Sequence, residues 1–290
     1  GFGLAQRWLL PYDVLRHFGY GPNTIEPYQT IDHKVSYLRV MSSLRGSNLF
    51  GGYLILVVSY IAAVSHWLKR RWLVVVAMAA TLAALFASGS RGAWLGAMAA
   101  LFVVASLRLG HRLLRREMII VTVAIMVLCV GSLFVLRNND FVQNTFFHTD
   151  EHSVSAVSSN AAHLRSSWAA TKQVFSWREA LGRGPGTAGP ASYYNTDHSV
   201  RIAENYFLQI GQEVGWLGLG LFLAIYAGTA KLLWQQRKTT LGQTLLASMV
   251  GLTVMAMLMH IWTDDTIAYL WWGLAGIALA PTVKSREKSK

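Results

Sequence analysis

The chain has 290 residues, of which 53% are apolar and 14% charged, with 26 basic residues against 14 acidic ones. The charges lie in short blocks, separated by stretches of about 16 to 21 residues that are almost free of charge. A helix needs about 20 apolar residues to cross the hydrocarbon core of a bilayer. This pattern excludes a disordered chain and an ordinary soluble enzyme. The single cysteine, Cys129, lies inside an apolar run and excludes an intrachain disulfide scaffold.

The first part of the chain contains no run long enough to span a membrane. Residues 1–48 mix polar and aromatic side chains, and the sequence starts at Gly1 without an initiator methionine or a signal-peptide pattern. We therefore expect residues 1–48 to form an external segment, and the whole chain to be the C-terminal fragment of a longer protein.

Seven apolar runs further along the chain are predicted to be transmembrane helices. The predicted fold is an all-α polytopic membrane protein with about seven transmembrane helices and a helical external loop. In chain order, the seven runs are Leu49–Trp67, Trp72–Ala87, Ala93–Leu107, Met118–Leu136, Val214–Trp234, Thr244–Trp262 and Thr266–Pro281.

The positions of these runs divide the chain into five parts. Residues 1–48 form the external segment, and 49–136 hold the first four transmembrane helices. Residues 137–203 form an external loop with an amphipathic helix. Residues 204–281 hold a second amphipathic piece and the last three transmembrane helices, and 282–290 form a cytoplasmic tail.

The positions of the basic residues predict the orientation. The segments after the first, third and fifth runs, together with the tail and Lys231 near the end of the fifth run, hold 14 of the 26 basic residues. Lysine and arginine in short loops stay on the cytoplasmic side of a membrane. Alternation of seven helices places these same four segments on one side, so the two arguments agree. The positive charge therefore reports topology, and we expect no nucleic-acid partner.

The external loop contains a predicted helix over residues Asn160–Leu181. Its apolar side chains recur at three- and four-residue spacing, which is typical of an amphipathic helix lying on a membrane surface. The run Gly182-Arg183-Gly184-Pro185-Gly186 ends it, because these residues disfavour helix. A second amphipathic piece, Ile202–Glu213, leads into the fifth run.

Three arginines on the predicted external side are candidates for binding an anion. Arg91 follows Ser88-Gly89-Ser90 in a tight turn, where the positive-inside rule disfavours a cation. Arg39 and Arg45 precede the first run on the same side. A guanidinium binds phosphate with two parallel hydrogen bonds. The group therefore indicates an anionic lipid substrate that bears pyrophosphate, the alternative being arginines that anchor the protein to lipid headgroups.

Glu204 is the candidate general base on this side. A carboxylate near the apolar layer has a raised pKa through desolvation, which suits it to accept a proton. The alternative is an acid favoured by the dipole at a helix N-terminus. Glu213, nine residues later, is interpreted as a structural hydrogen-bonding residue.

Other polar residues give weaker patterns. His148 and His152 have a spacing compatible with zinc, but no second ligand cluster accompanies them, and adjacent acids such as Asp264-Asp265 are common in turns. We therefore predict no metal site. His198 and His260 lie near the external boundary, where either is within reach of a site.

Four motifs in chain order resemble the O-antigen ligase and O-antigen polymerase superfamily, which consists of bacterial membrane glycosyltransferases of the GT-C type. The segment Ser90–Gly96 closely resembles the signature Ser-Arg-Gly-x-x-Leu-Gly of that superfamily. Three further segments are similar to its other motifs, namely Arg39–Asn48, Arg165–Gly186 and Glu204–Gly218.

The resemblance implies transfer of a glycan from an undecaprenyl-pyrophosphate carrier at the periplasmic face of the bacterial inner membrane. The acceptors that it implies are lipid A–core, another carrier-linked repeat or a protein, with membrane lipid around the enzyme. It implies no metal, nucleotide sugar or other cofactor. By matching position, Arg39 and Arg91 hold the pyrophosphate as catalytic residues. The candidate substrate-binding residues are Asn48, Ser90 and Asn205 from the matching motifs, with Arg45 and His198 as additions outside the family pattern.

The sequence departs from the ligase pattern at the base. Ligases have histidine where this chain has Glu204, and proline where it has Ser47. A carboxylate is able to deprotonate a hydroxyl, and His198 is an alternative base. The competing function is a transporter or flippase of an anionic lipid or polysaccharide. That function predicts charged residues along a path through the bilayer, whereas the polar candidates here cluster on one face.

Overall fold

The computed structural model describes residues 1–31, 34–109, 159–196 and 199–287. Most of these residues are helical, which agrees with an all-α chain, and two short strands form the only sheet of these ranges. The α-helices are α1 (Phe2–Trp8), α2 (Ser47–Val64), α3 (Arg71–Ala87), α4 (Arg91–Leu109), α5 (Ser159–Val174), α6 (Tyr206–Gln235), α7 (Thr240–Ala256) and α8 (Asp265–Glu287).

Six of the seven predicted apolar runs coincide with helices. The helices α2, α4 and α6 are long and apolar enough to cross a membrane. The helices α3 and α7 and the apolar part of α8, Asp265–Ala280, are shorter. The predicted run Met118–Leu136 lies outside the described residues. Three candidate membrane-spanning helices are therefore present by length and composition.

The boundaries differ from the predicted ones at three places. The predicted helix Asn160–Leu181 ends at Val174, where the N–H of Ser176 donates to the carbonyl of Gln173 in a tightened last turn. The piece Ile202–Glu213 does not form a separate helix, since its second half is the start of α6, which has a kink at Gly215.

The third difference concerns the segment before α8. The predicted run Thr244–Trp262 ends early, because α7 stops at Ala256 and the N–H of Leu258 donates to the carbonyl of Met255. A separate 3₁₀ turn, Ile261–Thr263, follows. His260 therefore lies outside the helices, in the connection between α7 and α8.

The core lies where α2, α4 and α7 pack together. Gly96 of α4 and Gly251 of α7 allow the closest approach, since a Cβ on either residue would lie 2.5 Å from the backbone oxygen of the other. Small residues permit such crossings in membrane helix bundles. The indole of Trp271, fully buried, donates to the hydroxyl of Ser248 and joins α8 to this core.

A two-stranded antiparallel sheet precedes α2. It consists of β1 (Gln29–Ile31) and β2 (Lys34–Arg39), with Gln29 opposite Arg39. The side-chain oxygen of Gln29 accepts from both the N–H and the hydroxyl of Ser47 at 2.8 and 2.7 Å. Because the first N–H groups of a helix have no partner within the helix, this contact closes the N-terminus of α2.

Four distant segments meet at one end of the helices. They are the hairpin with the start of α2, the turn between α3 and α4, the loop before α6, and the connection between α7 and α8. Hydrogen bonds join them in the pairs Arg39–Ser88, Arg45–Asp264 and Asn205–Met257. These are the segments that the charge distribution assigns to one side of the membrane.

We expect the α4–α7 crossing to be intolerant of larger residues. Gly96→Val should lower the Tm of the purified protein by several degrees, because overpacking a close contact costs about 1–3 kcal/mol. Gly220→Val is the matched control, since Gly220 of α6 is exposed and has nothing within 4 Å of its position for a Cβ. Equal Tm values for the two variants would contradict this packing.

Candidate functional site

The end where the four segments meet contains a cavity of about 500 Å³, a size typical of small-molecule sites. Three parts of the chain form its wall: the hairpin with the start of α2, the loop leading into α6, and the connection before α8. The polar residues lining it are Gln29, Arg45, Asn48, Glu204, Gln209, His260, Thr263 and Asp264.

Arg39, the last residue of β2, reaches across to two other elements. Its Nε donates to the backbone carbonyl of Ser88 at 3.0 Å, and its Nη2 donates to Oδ1 of Asn48 at 2.6 Å. Burial, helped by the positive charge of Arg91, lowers the pKa of Arg39 to about 10. Its hydrogen bonds among the described residues thus go to neutral oxygens, while a second cation stands nearby.

The turn between α3 and α4 is shaped to receive Arg39. Gly89 lies directly under the arginine, and a Cβ there would come within 3.1 Å of its Nε. Ser88 and Ser90 are buried, and the N–H of Ser90 donates to the hydroxyl of Ser88. Arg91 follows as the first residue of α4 and is partly buried. Small residues in this motif therefore let two guanidinium groups share one corner.

Arg45 has anionic partners within the protein. Its Nη2 lies 3.1 Å from Oδ2 of Asp264 and 3.6 Å from a carboxylate oxygen of Asp265. Asp264 is buried, and its Oδ1 accepts from the N–H of Ile267 in the first turn of α8. This acid therefore caps α8 and fixes Arg45 on the cavity wall, a pairing that sequence reasoning missed because the two residues are far apart in the chain.

Glu204 lines the cavity just before α6. Its φ of 51° lies in the left-handed region, which is uncommon for a residue with a side chain. The next residue, Asn205, caps α6 by accepting from the N–H of Leu208, and its Nδ2 donates to the carbonyl of Met257. Both halves of this amide serve to fix the start of α6 against the end of α7. The strained left-handed backbone of Glu204 persists because the surrounding structure enforces it.

The glycine-rich turn predicted to end the loop helix contacts the kink of α6. The N–H groups of Arg183 and Gly184 donate to the carbonyls of Gln212 and Glu213 at 3.2 and 2.8 Å. At the kink, Gly215 has a φ of 71°, and a Cβ there would overlap the carbonyl of Ala180. Both the positive φ and the lack of space for a Cβ require glycine at position 215. The two glycine motifs therefore form one clasp, which holds the loop beside the start of α6.

Two polar side chains on the cavity wall have unused hydrogen-bonding atoms. Neither ring nitrogen of His260 has a hydrogen-bond partner in the described part of the chain, and both are buried. Oε1 of Gln209 is likewise buried and has no hydrogen-bond partner among the described residues, while Nε2 of Gln209 donates to Glu213 at 3.1 Å. Burial lowers the pKa of His260 to about 4, so the imidazole is neutral at pH 7.

The structure brings several of the sequence-predicted site residues together. Arg45, Asn48 and Glu204 line the cavity, and Arg39 contacts it through Asn48. Ser90 is buried in its turn and is not part of the cavity wall. His198 lies outside the described residues.

The possible metal ligands give no cluster in the part of the chain that the structure describes. No group of three or more histidine, cysteine, aspartate or glutamate residues is placed there to hold a metal ion. His148 and His152 lie outside that part. The adjacent acids Asp264 and Asp265 both contact Arg45.

Comparison with known proteins identifies one family. A family model described as O-antigen ligase matches residues 76–223, just over half of the chain. The match includes the turn with Arg91, the glycine clasp and Glu204, whereas Arg39, Arg45 and Asn48 precede it. No curated protein and no solved structure matches the chain. The resemblance inferred from the motifs is confirmed.

The buried imidazole predicts a pH dependence of stability. The unfolded chain protonates His260 below about pH 6.5, whereas the folded protein keeps it neutral down to about pH 4. Between these two pH values the unfolded chain binds one proton more than the folded protein, so the free energy of unfolding falls as the pH drops from about 6.5 toward 4. The Tm of His260→Phe should fall less steeply over this range than that of the wild type.

The cavity wall also contains the charged residues Arg45, Glu204 and Asp264. These residues are the same in the wild type and in His260→Phe. The difference between their Tm curves, measured in the same detergent, therefore reports on the histidine alone. Parallel Tm curves for the wild type and the variant would show that His260 is not held neutral by burial.

Proposed function

Because the chain belongs to the O-antigen ligase family, we propose that it transfers a glycan from an undecaprenyl-pyrophosphate carrier to a hydroxyl group of an acceptor. The family makes it an O-antigen ligase-like or polymerase-like membrane enzyme of bacteria, with a glycosyltransferase-like activity and lipid-linked glycan and acceptor partners. The identity of the carrier and a reaction without metal or other cofactor are parts of the proposal.

The observation that carries the proposal is the pair of arginines at the α3–α4 turn. Arg39 donates to two neutral oxygens, and the neighbouring positive charge of Arg91 helps to lower its pKa. Two cations near each other at the edge of an apolar layer repel, and a bound anion removes that cost. A diphosphate suits this position because guanidinium groups bind phosphate oxygens with paired hydrogen bonds.

The proposed reaction is a direct displacement at the anomeric carbon. The acceptor oxygen forms a bond to that carbon while the bond from the carbon to the diphosphate oxygen breaks. The bonding electrons leave with undecaprenyl pyrophosphate, whose growing negative charge Arg39 and Arg91 stabilise. The hydroxyl proton passes to the base. No metal ion takes part in this scheme.

Glu204 is proposed as that base, since it lines the cavity and its backbone conformation is enforced. Asn48 connects the two halves of the site, because it binds Arg39 and also forms part of the cavity wall. A donor with its diphosphate at Arg39 would therefore extend its sugar toward Glu204. For Glu204 to act as the base, the acceptor hydroxyl must lie within hydrogen-bond distance of its carboxylate.

The proposal includes the membrane topology of the chain. We assign seven transmembrane helices, counting the run Met118–Leu136, and place the cavity on the periplasmic face of the bacterial inner membrane. Support comes from the contacts that join the four predicted external segments. At the other end of α4, Arg108 donates to the carbonyl of Ala63 at 2.6 Å and so lies with the end of α2, as expected for the cytoplasmic side.

A transporter or flippase is less well supported. Such a protein needs charged groups along a path through the bilayer. The apolar helices that the structure describes carry their charged residues within about two turns of a helix end. The polar candidates instead surround a cavity at one end of the bundle.

Removing either arginine should abolish glycan transfer. In membrane vesicles supplied with undecaprenyl-pyrophosphate-linked oligosaccharide, Arg39→Ala and Arg91→Ala should each lower kcat/KM at least about a hundredfold, as for loss of an oxyanion-stabilising donor. Arg70→Ala is the matched control, since Arg70 is an exposed cation at the opposite end of α3.

Undiminished transfer by either of the two variants, at equal protein levels in the membrane, would contradict the assignment of the diphosphate site. Wild-type protein that transfers glycan to neither lipid A–core nor a second carrier-linked repeat would contradict the function itself.

The role of Glu204 has a separate test. Glu204→Gln keeps the size of the side chain and removes the proton acceptor, so kcat should fall about 10²–10⁴-fold while KM for the donor stays close to that of the wild type. Full activity of this variant at all pH values would exclude Glu204 as the base and leave His198 as the candidate.

A further inference from the structure

His260 is the feature of the cavity that the proposed reaction leaves unused. His260 lines the cavity, and its two ring nitrogens are buried without a hydrogen-bond partner among the described residues. Buried polar atoms are nearly always paired, because an unpaired one loses its hydration without compensation. In a side chain that lines a cavity, such atoms indicate a ligand group that completes the hydrogen bond.

The imidazole is held firmly in this position. The carbonyl of His260 accepts from the N–H and from the hydroxyl of Thr263, at 3.2 and 2.6 Å. The two residues between them, Ile261 and Trp262, are buried in the core. The turn therefore fixes where the ring stands, as is needed for a residue that selects a ligand.

A second unused atom lies on the same cavity wall. Gln209 is only 5% exposed, and its Oε1 has no partner in the described ranges, while its Nε2 donates to Glu213. The bond to Glu213 uses the donor side of the amide and leaves its acceptor oxygen buried without a partner among the described residues. The cavity thus offers at least one hydrogen-bond acceptor besides the histidine.

The charge on this wall favours a neutral ligand. The imidazole is neutral at pH 7, with one donor and one acceptor nitrogen. The cation that lines the same cavity, Arg45, is paired with Asp264. A hydroxyl group, which both donates and accepts, matches this set of atoms, whereas a phosphate does not.

We propose that His260 binds a sugar hydroxyl of the acceptor glycan, with Gln209 as a second contact, and so selects the acceptor. This inference rests on the proposed glycosyl transfer and adds the place of the acceptor to it. A hydroxyl held by His260 shares the cavity with Glu204, which removes its proton. The donor diphosphate binds on the other side of Asn48, so the two substrates use different walls.

The test separates acceptor binding from donor binding and from folding. With undecaprenyl-pyrophosphate-linked oligosaccharide as donor, and with lipid A–core and a carrier-linked repeat tried in turn as acceptor, the KM for each substrate is measured. His260→Phe keeps a ring of similar size without nitrogens. It should raise the acceptor KM at least about tenfold, since the sugar hydroxyl loses its partner, and leave the donor KM within about twofold.

The same variant should not destabilise the protein. Replacing a buried, unpaired polar group by an apolar one removes a desolvation cost, so the Tm of His260→Phe at pH 7 should equal or exceed that of the wild type. His260→Gln, which retains a donor and an acceptor, should recover part of the acceptor affinity. His17→Phe is the control, because His17 is exposed near the N-terminus.

The outcomes are distinguishable. If the wild type uses neither acceptor, the proposed function fails and this inference fails with it. If the wild type is active, an unchanged acceptor KM in His260→Phe overturns the inference alone. A lowered Tm at pH 7, or an increase confined to the donor KM, also overturns it, because the histidine would then serve folding or the donor.

Discussion

The site depends on one unusual constraint, an arginine placed at the end of an apolar helix bundle with neutral oxygens as its hydrogen-bond partners. Arg39 spans from the hairpin to the carbonyl of Ser88 and to the side chain of Asn48, and so ties three segments together. Burial, and after it the positive charge of Arg91, lowers the pKa of Arg39 to about 10. Two neighbouring guanidinium groups at the edge of an apolar layer are the part of the site on which the proposed binding of an anionic substrate depends.

The opposite side of the cavity is built by backbone geometry. The glycine turn that follows α5 donates two N–H groups to carbonyls at the kink of α6, and Gly215 is required for both its conformation and its lack of a Cβ. This clasp holds the loop, and Asn205 holds the start of α6 against the end of α7. Glu204, between them, is held in a left-handed conformation on the cavity wall. The arginines and the Glu204 carboxylate thus come from different parts of the chain and meet at one end of the helices only in the folded protein.

Local properties of the sequence predicted much of the architecture. Apolar runs located six helices, because burial in a bilayer demands long uncharged stretches, and the basic blocks grouped the four segments that the structure joins at one end. The motifs also predicted Arg39, Asn48 and Glu204 as site residues, and their roles in the reaction belong to the proposal. The ion pair of Arg45 with Asp264 was not predicted, since it depends on the approach of residues at opposite ends of the chain. His260 was placed inside a predicted helix, because Ile261 and Trp262 are as apolar as a membrane span, although they are buried in a short turn.

The central claim is that the arginine corner and the Glu204 cavity form one site for a carrier-linked glycan. It is tested most directly by a cryo-electron microscopy structure of the protein in lipid nanodiscs with undecaprenyl pyrophosphate bound. The account predicts the diphosphate beside Arg39 and Arg91, with the polyprenyl chain along the outer surface of the helices. A diphosphate bound away from both arginines, or at the end of α4 where Arg108 lies, would contradict it.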